Sequence, residues 1–128
     1  MTRRSKVSLS PRSIGLDRER RAKAILERLG YLVSEPIRGG FGNKDIFGAF
    51  DLLALARDPP DGFRPVLLVQ VSGDFDHPAV RQRSWPGIPG VSYELWREKH
   101  HVFTILRFDG KGHFRIERTI SGTPPEAP

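Results

Sequence analysis

Asp51-Leu52-Leu53-Ala54-Leu55 and Val66-Leu67-Leu68-Val69-Gln70-Val71-Ser72, with the turn-forming Asp58-Pro59-Pro60-Asp61-Gly62 between them, decide how this chain folds. Each apolar run is short and bounded by breakers, so each reads as a buried strand, and the turn between them makes the two a hairpin. The polar residues sit at one end of that hairpin. Asp51 heads the first strand, and Gln70 and Ser72, two apart at the end of the second, share a face while Val71 points away into the core.

Upstream, Ala22, Ile25, Leu26 and Leu29 recur at helical spacing, which predicts a helix over Leu16 to Leu29 with Gly30 as its C-terminal stop. Tyr31-Leu32-Val33 reads as a short strand ended by Glu35-Pro36. Gly39-Gly40-Phe41-Gly42-Asn43 is a loop that lacks the trailing Gly-Lys-Ser/Thr of a phosphate loop, so no nucleotide site is read there. It leads into Lys44 to Ala56, which reads as two strand pieces. Downstream, Asp76-His77-Pro78 opens a short helix that carries Arg81 and Arg83 until Trp85-Pro86-Gly87 breaks it. Val91 to Trp96, Val102 to Phe108 and His113 to Arg118 follow as strands. Residues 1–12 read as a flexible basic arm, 13–120 as one α/β domain with a central mixed β-sheet flanked by helices, and 121–128 as a disordered tail.

The chain of 128 residues has room for one core and not two. Its net charge is +6, and 16 of its 21 cations are Arg, whose fork matches phosphate better than an ammonium does. An anionic partner is therefore expected, nucleic acid before lipid. There is no cysteine, which excludes disulfides, thiolate metal sites and Cys nucleophiles, so any metal must be held by oxygen or histidine. No apolar run approaches the ~20 residues that cross a bilayer. The basic N-terminus has no apolar core behind it, so it is not a secretory signal and a cytoplasmic location is expected.

A carboxylate and an amide oxygen meeting on neighbouring strands are hard donors, suited with the Val71 carbonyl and water to Mg²⁺ or Mn²⁺. Over residues 16 to 84 the chain resembles the PD-(D/E)XK nuclease superfamily, in particular its small resolvase-like and phage-encoded members. The matching features are an early helix with a Glu, a Gly-rich loop, an Asp heading a strand, a hairpin, and an acidic-or-Gln, any residue, Lys triplet before a helix. The resemblance implies a restriction-endonuclease-like core of order αβββαβ. It implies Asp51 and Gln70 as the metal-binding pair and Glu19 as the helix Glu that some members add to the site. Ser72 stands where the family pattern puts its catalytic Lys, and Lys44 is the nearest substitute. Asp45, six residues before Asp51, is a candidate second carboxylate if the strand runs unbroken past Gly48. Resolvase-like relatives act as dimers, which makes a second copy a candidate partner, although no hydrophobic stripe is clearly left over for an interface.

Simpler roles compete at each position. Asp51 could cap a turn, Gln70 could be a satisfied hairpin amide, and Glu19, among Arg18, Arg20 and Arg21, could be a surface ion pair. Arg81 and Arg83 diverge on a helix, so only one can face a phosphate, and a solvated basic face is the alternative. His77 could hydrogen-bond a phosphate or simply face solvent, and Arg3 and Arg4 of the arm could grip a backbone. His100-His101, read at the start of a strand, would point to opposite faces and chelate poorly. Trp85, Trp96 and Phe41 could stack on bases, with core packing the default for both Trp.

The reading that joins these features is a Mg²⁺- or Mn²⁺-dependent endonuclease or resolvase-like phosphodiesterase acting on DNA. Its competitor is the same fold kept for nucleic-acid binding without catalysis, favoured by Ser72. A basic assembly domain is a third reading, with no motif of its own.

Overall fold

The computed structural model describes residues 11–36, 45–73, 84–108 and 114–121. The first element is helix α1 (Pro11–Arg28), which starts at Pro11 rather than Leu16, inside the stretch read as a loose arm. Proline in a first helical turn sacrifices no hydrogen bond, because those N–H groups have no acceptor in any case. The helix ends as the sequence predicts. Gly30 takes φ +100°, and its N–H and that of Tyr31 donate back to the carbonyls of Glu27 and Leu26 at 3.1 and 3.0 Å.

Six strands follow: β1 (Leu32–Ser34), β2 (Leu52–Leu55), β3 (Val66–Ser72), β4 (Val91–Lys99), β5 (Val102–Phe108) and β6 (Phe114–Ser121). They form one sheet in sequence order. β2 and β3 pair as the expected hairpin, from Leu52 opposite Val69 to Leu55 opposite Val66. All neighbouring pairs are antiparallel except β3 and β4, which run parallel with Gln70 beside Leu95 and Ser72 beside Arg97. The architecture is thus a single α/β domain on a mixed sheet. The helix expected from Asp76 falls in the β3–β4 crossover, at positions that lie outside the described residues, as do Phe41 and its loop and most of the C-terminal tail. Ser121, read as the start of that tail, instead ends β6.

Alternation along the strands sorts the core into two layers. On one face Ala22, Ile25 and Leu26 of α1 pack against Leu52, Ala54, Leu67, Val69, Trp96, Phe103 and Ile105. On the other lie Phe50, Leu68, Trp85, Tyr93, Leu95, Leu106 and Phe108. Both tryptophans are core residues. Burying aromatics of this size is the largest apolar gain available to so short a chain. The helix face also holds Glu94 at 0% exposure, satisfied by the Ser92 hydroxyl at 2.7 Å, the Trp96 indole N–H at 2.9 Å and the Arg107 guanidinium at 3.6 Å.

Two turns depart from the sequence reading. Of the two strand pieces read between Lys44 and Ala56, the second is β2, whereas the described residues of the first form only the single bridge between Ile46 and Phe50 around a three-residue turn, in which Phe47 and Gly48 take φ +53° and +69°. His100 and His101 are not the start of a strand. They are the two central residues of the β4–β5 hairpin, with Lys99 opposite Val102, and both take positive φ, 52° and 63°. That is the geometry of a type I′ turn, which matches strand twist but favours Asn-Gly over side chains with a bulky Cβ substituent.

Relieving the turn should stabilise the protein. His100→Asn with His101→Gly is expected to add about 1 kcal/mol, read as a higher midpoint in thermal unfolding. A lower midpoint would mean the imidazoles make contacts worth more than the backbone strain. The two tyrosines of the chain give a second check. Burial pushes the Tyr31 phenol up to about 12, its hydroxyl donating to the Arg64 carbonyl at 2.6 Å, and burial also pushes Tyr93 up. The folded pKa values lie above the unfolded ones, so the phenols' contribution is intact below pH 10 and is lost as the pH rises toward 12. Absorbance titration at 295 nm should show little phenolate at pH 10 in the native protein and half-ionised phenols in urea. Half-ionisation at pH 10 in the native state would contradict the burial.

Candidate functional site

Asp51 lies where β2 and β3 part. Leu52 is the register partner of Val69, yet the Asp51 N–H also donates to the Val69 carbonyl at 2.8 Å, so two residues of one strand oppose one of the other. Beyond that irregularity the ladder is taken over by a side chain. The Val71 N–H donates to Asp51 Oδ2 at 2.8 Å, and the carboxylate is 8% exposed. The N–H and C=O of one residue in an extended strand point to the same edge, so the Val71 carbonyl is directed into the same gap. The capping role and the ligand role are therefore compatible. One oxygen of Asp51 satisfies a strand N–H, and the carboxylate as a whole is held beside a carbonyl.

Gln70 and Ser72 share the face of Leu68, opposite α1, as their spacing predicts. Gln70 is half-buried. Ser72 is 4% exposed, and its hydroxyl has no hydrogen-bond partner. Asp45 and Asp51 are not six residues apart along one strand but are the residues immediately outside the bridged pair Ile46 and Phe50, because Gly48 turns the chain back. Asp45 is thereby brought to the Asp51 end of the hairpin by a turn, and not by the unbroken strand that the sequence reading required.

Glu19 occupies the sheet-facing stripe of α1, one turn before Ala22. Its neighbours show where that end of the helix lies. The Arg21 guanidinium grips Glu98 of β4 in a two-pronged pair at 2.5 and 2.7 Å, with Arg18 at 3.4 Å from the same carboxylate. The bond to Glu98 pushes the Arg21 pKa up. Arg18 also fills the space above Gly73, where a Cβ would meet its guanidinium at 2.7–2.9 Å. Glu19 therefore shares with Gln70 and Ser72 the C-terminal end of β3, but from the opposite side of the sheet. Lys44, His77, Arg81, Arg83, Arg3 and Arg4 all lie outside the described residues.

One cation escaped the sequence reading. Arg97 stands beside Ser72 in the parallel β3–β4 register, and the stripe Tyr93, Leu95, Arg97 shares the Gln70 face. Its Nε is buried without a partner. The signal was a charge closing an apolar period-two stripe, but which strand it would neighbour depends on the crossover. An apolar cavity of about 280 Å³, lined by Phe47, Leu68, Trp85, Ile88 and Tyr93 among others, opens on the same face toward the start of β3 and β4.

Among the described residues no group of three or more His, Asp or Glu side chains gathers to hold a metal, and no helix is long and apolar enough to cross a membrane. The donors that the structure brings together are the Asp51 carboxylate and the Val71 backbone, with Gln70 the residue before Val71 on β3. Such a set suits magnesium, which binds through one or two carboxylates and completes its shell with water and phosphate oxygens. Compared with known proteins, the chain matches no family model, no curated protein and no solved structure.

The structural share of Asp51 can be measured separately from any chemistry. Asp51→Ala leaves the Val71 N–H buried without its acceptor and should cost about 1–3 kcal/mol in urea unfolding. Asp51→Asn keeps an acceptor oxygen and should cost less than about 1 kcal/mol. Equal losses would show that the hydrogen bond to Val71 is not what the carboxylate contributes.

Proposed function

We propose that the protein is a divalent-metal-dependent phosphodiesterase acting on nucleic acid, DNA in the first instance, built on a restriction-endonuclease-like core. One observation carries the reading: the Asp51 carboxylate is held at the parting of β2 and β3 by the Val71 N–H, next to the Gln70 and Ser72 positions of the triplet. The order helix, three antiparallel strands, crossover, parallel strand supports the αβββαβ core, whose second helix would occupy the crossover. The net charge of +6 and its arginine bias support a polyanionic substrate, which this reading places in the cytoplasm.

In this reading Asp51, Gln70 and the Val71 carbonyl would hold Mg²⁺ or Mn²⁺, with Asp45 as the second carboxylate and Glu19 approaching from α1. A bound divalent ion would polarise the scissile phosphate and acidify the attacking water. The protein's part is to fix those donors on a strand end, where packing of Leu52 and Val69 into the core leaves them little freedom. Ser72 in the Lys position favours a second reading, a nucleic-acid-binding relative without turnover, on the same surface.

Labelled single-stranded, duplex and four-way-junction DNA, incubated with Mg²⁺ or Mn²⁺, tests the two. Cleavage of at least one substrate by the wild type is expected, abolished by chelator and reduced at least ~100-fold in Asp51→Asn, which is expected to keep the fold. Binding without cleavage in both metals, unchanged in Asp51→Asn, would instead establish the second reading.

A further inference from the structure

We propose that Arg97 supplies, from the neighbouring strand, the positive charge for a substrate phosphate that Ser72 cannot supply from the triplet. The inference rests on the phosphodiesterase reading and deepens it. Three observations converge on one spot. Arg97 and Ser72 are side by side in the parallel register, and both lie on the face opposite α1, as Gln70 does. Ser72 is more than nine-tenths buried with its hydroxyl unpartnered. The Arg97 Nε is likewise buried and unpartnered, and among the described residues the side chain makes no ion pair.

Buried donors without acceptors are rare, because each forfeits its hydrogen bonds to water. Two of them adjacent, one on a permanent cation, form a place that is short of an anion. Among the described residues, the other two arginines placed at this end of the sheet, Arg18 and Arg21, are committed to Glu98. Arg97 keeps partial exposure while its Nε is shielded, so the guanidinium is anchored along the sheet with no counter-charge paired to it among the described residues. A phosphodiester oxygen is the anion this pair fits, accepting from the Ser72 hydroxyl and the Arg97 fork. An arginine cannot lend a proton at neutral pH, so its part is to bind and stabilise charge and not to act as a general acid.

The test uses the full chain and the DNA substrate that the wild type turns over best. Three variants are compared, Arg97→Ala, Arg97→Met and Arg97→Lys, by cleavage in Mg²⁺, by fluorescence anisotropy in chelator across a salt series, and by thermal unfolding. Arg97→Ala and Arg97→Met are expected to lose at least ~100-fold in cleavage, the loss of one stabilising contact to developing charge, and to lower the salt slope of binding by about one. Arg97→Lys should recover part of both. Arg97→Met keeps the apolar stem and removes the unpaired donor, so its unfolding midpoint should equal or exceed that of the wild type. Wild-type cleavage and salt slope in Arg97→Met would overturn the inference alone. So would a loss of activity accompanied by a fall in midpoint and no recovery by Lys, which is the mark of a purely structural residue. A wild type that neither binds nor cleaves DNA would overturn the phosphodiesterase reading itself.

Discussion

The hydrogen bond from the Val71 N–H to Asp51 Oδ2 fixes the point where β2 and β3 part. A strand N–H that loses its ladder partner inside a protein must find another acceptor. Here the partner is lost because Asp51 and Leu52 together oppose Val69, and the side chain of the extra residue repairs the fault it creates. The result is a carboxylate fixed by the backbone at a gap between two strands. It is shielded enough to act strongly on charge and remains next to a carbonyl that the ladder no longer uses.

Around that gap the sheet separates two electrostatic jobs by face. Toward α1, charges are consumed internally: Glu98 by Arg21 and Arg18, and Glu94 by Ser92, Trp96 and Arg107. These pairs fasten the helix and the strands to one another, and a buried carboxylate with this many donors is not available for chemistry. On the opposite face Gln70, Ser72 and Arg97 line up across two parallel strands, and two of their donors lack partners. On the first face both carboxylates are matched by donors, although the Arg107 Nε is buried without a hydrogen-bond partner; on the second two neighbouring donors, Ser72 and Arg97, lack acceptors.

Much of this was legible in the chain itself. Helical spacing at Ala22, Ile25, Leu26 and Leu29, with Gly30 behind it, located α1 and its end because the period and the left-handed stop are local properties. The runs Leu52–Leu55 and Val66–Val71 and the turn between them located the hairpin for the same reason. The beginning of α1 was missed because Pro11 carries no apolar signal, only tolerance. His100 and His101 were misplaced because nothing in their residue type announces positive φ, which the two-residue connection between β4 and β5 imposes on them.

The sequence by itself determined which residues could be donors and which face each strand would bury, since side-chain period and chemical type travel with the chain. It placed Gln70 and Ser72 on one face and marked Asp51 as a charged residue at a strand head. Only the tertiary structure decided their company. The parallel register sets Arg97 beside Ser72, twenty-five positions further along the chain. The turn at Gly48 folds Asp45 back toward Asp51, and the docking of Arg18 and Arg21 on Glu98 brings the Glu19 end of the helix over the end of β3. Register across a crossover is set by the packing of whole layers and not by any local preference, and for that reason a cation two strands away from the Asp could not be read from the order of residues.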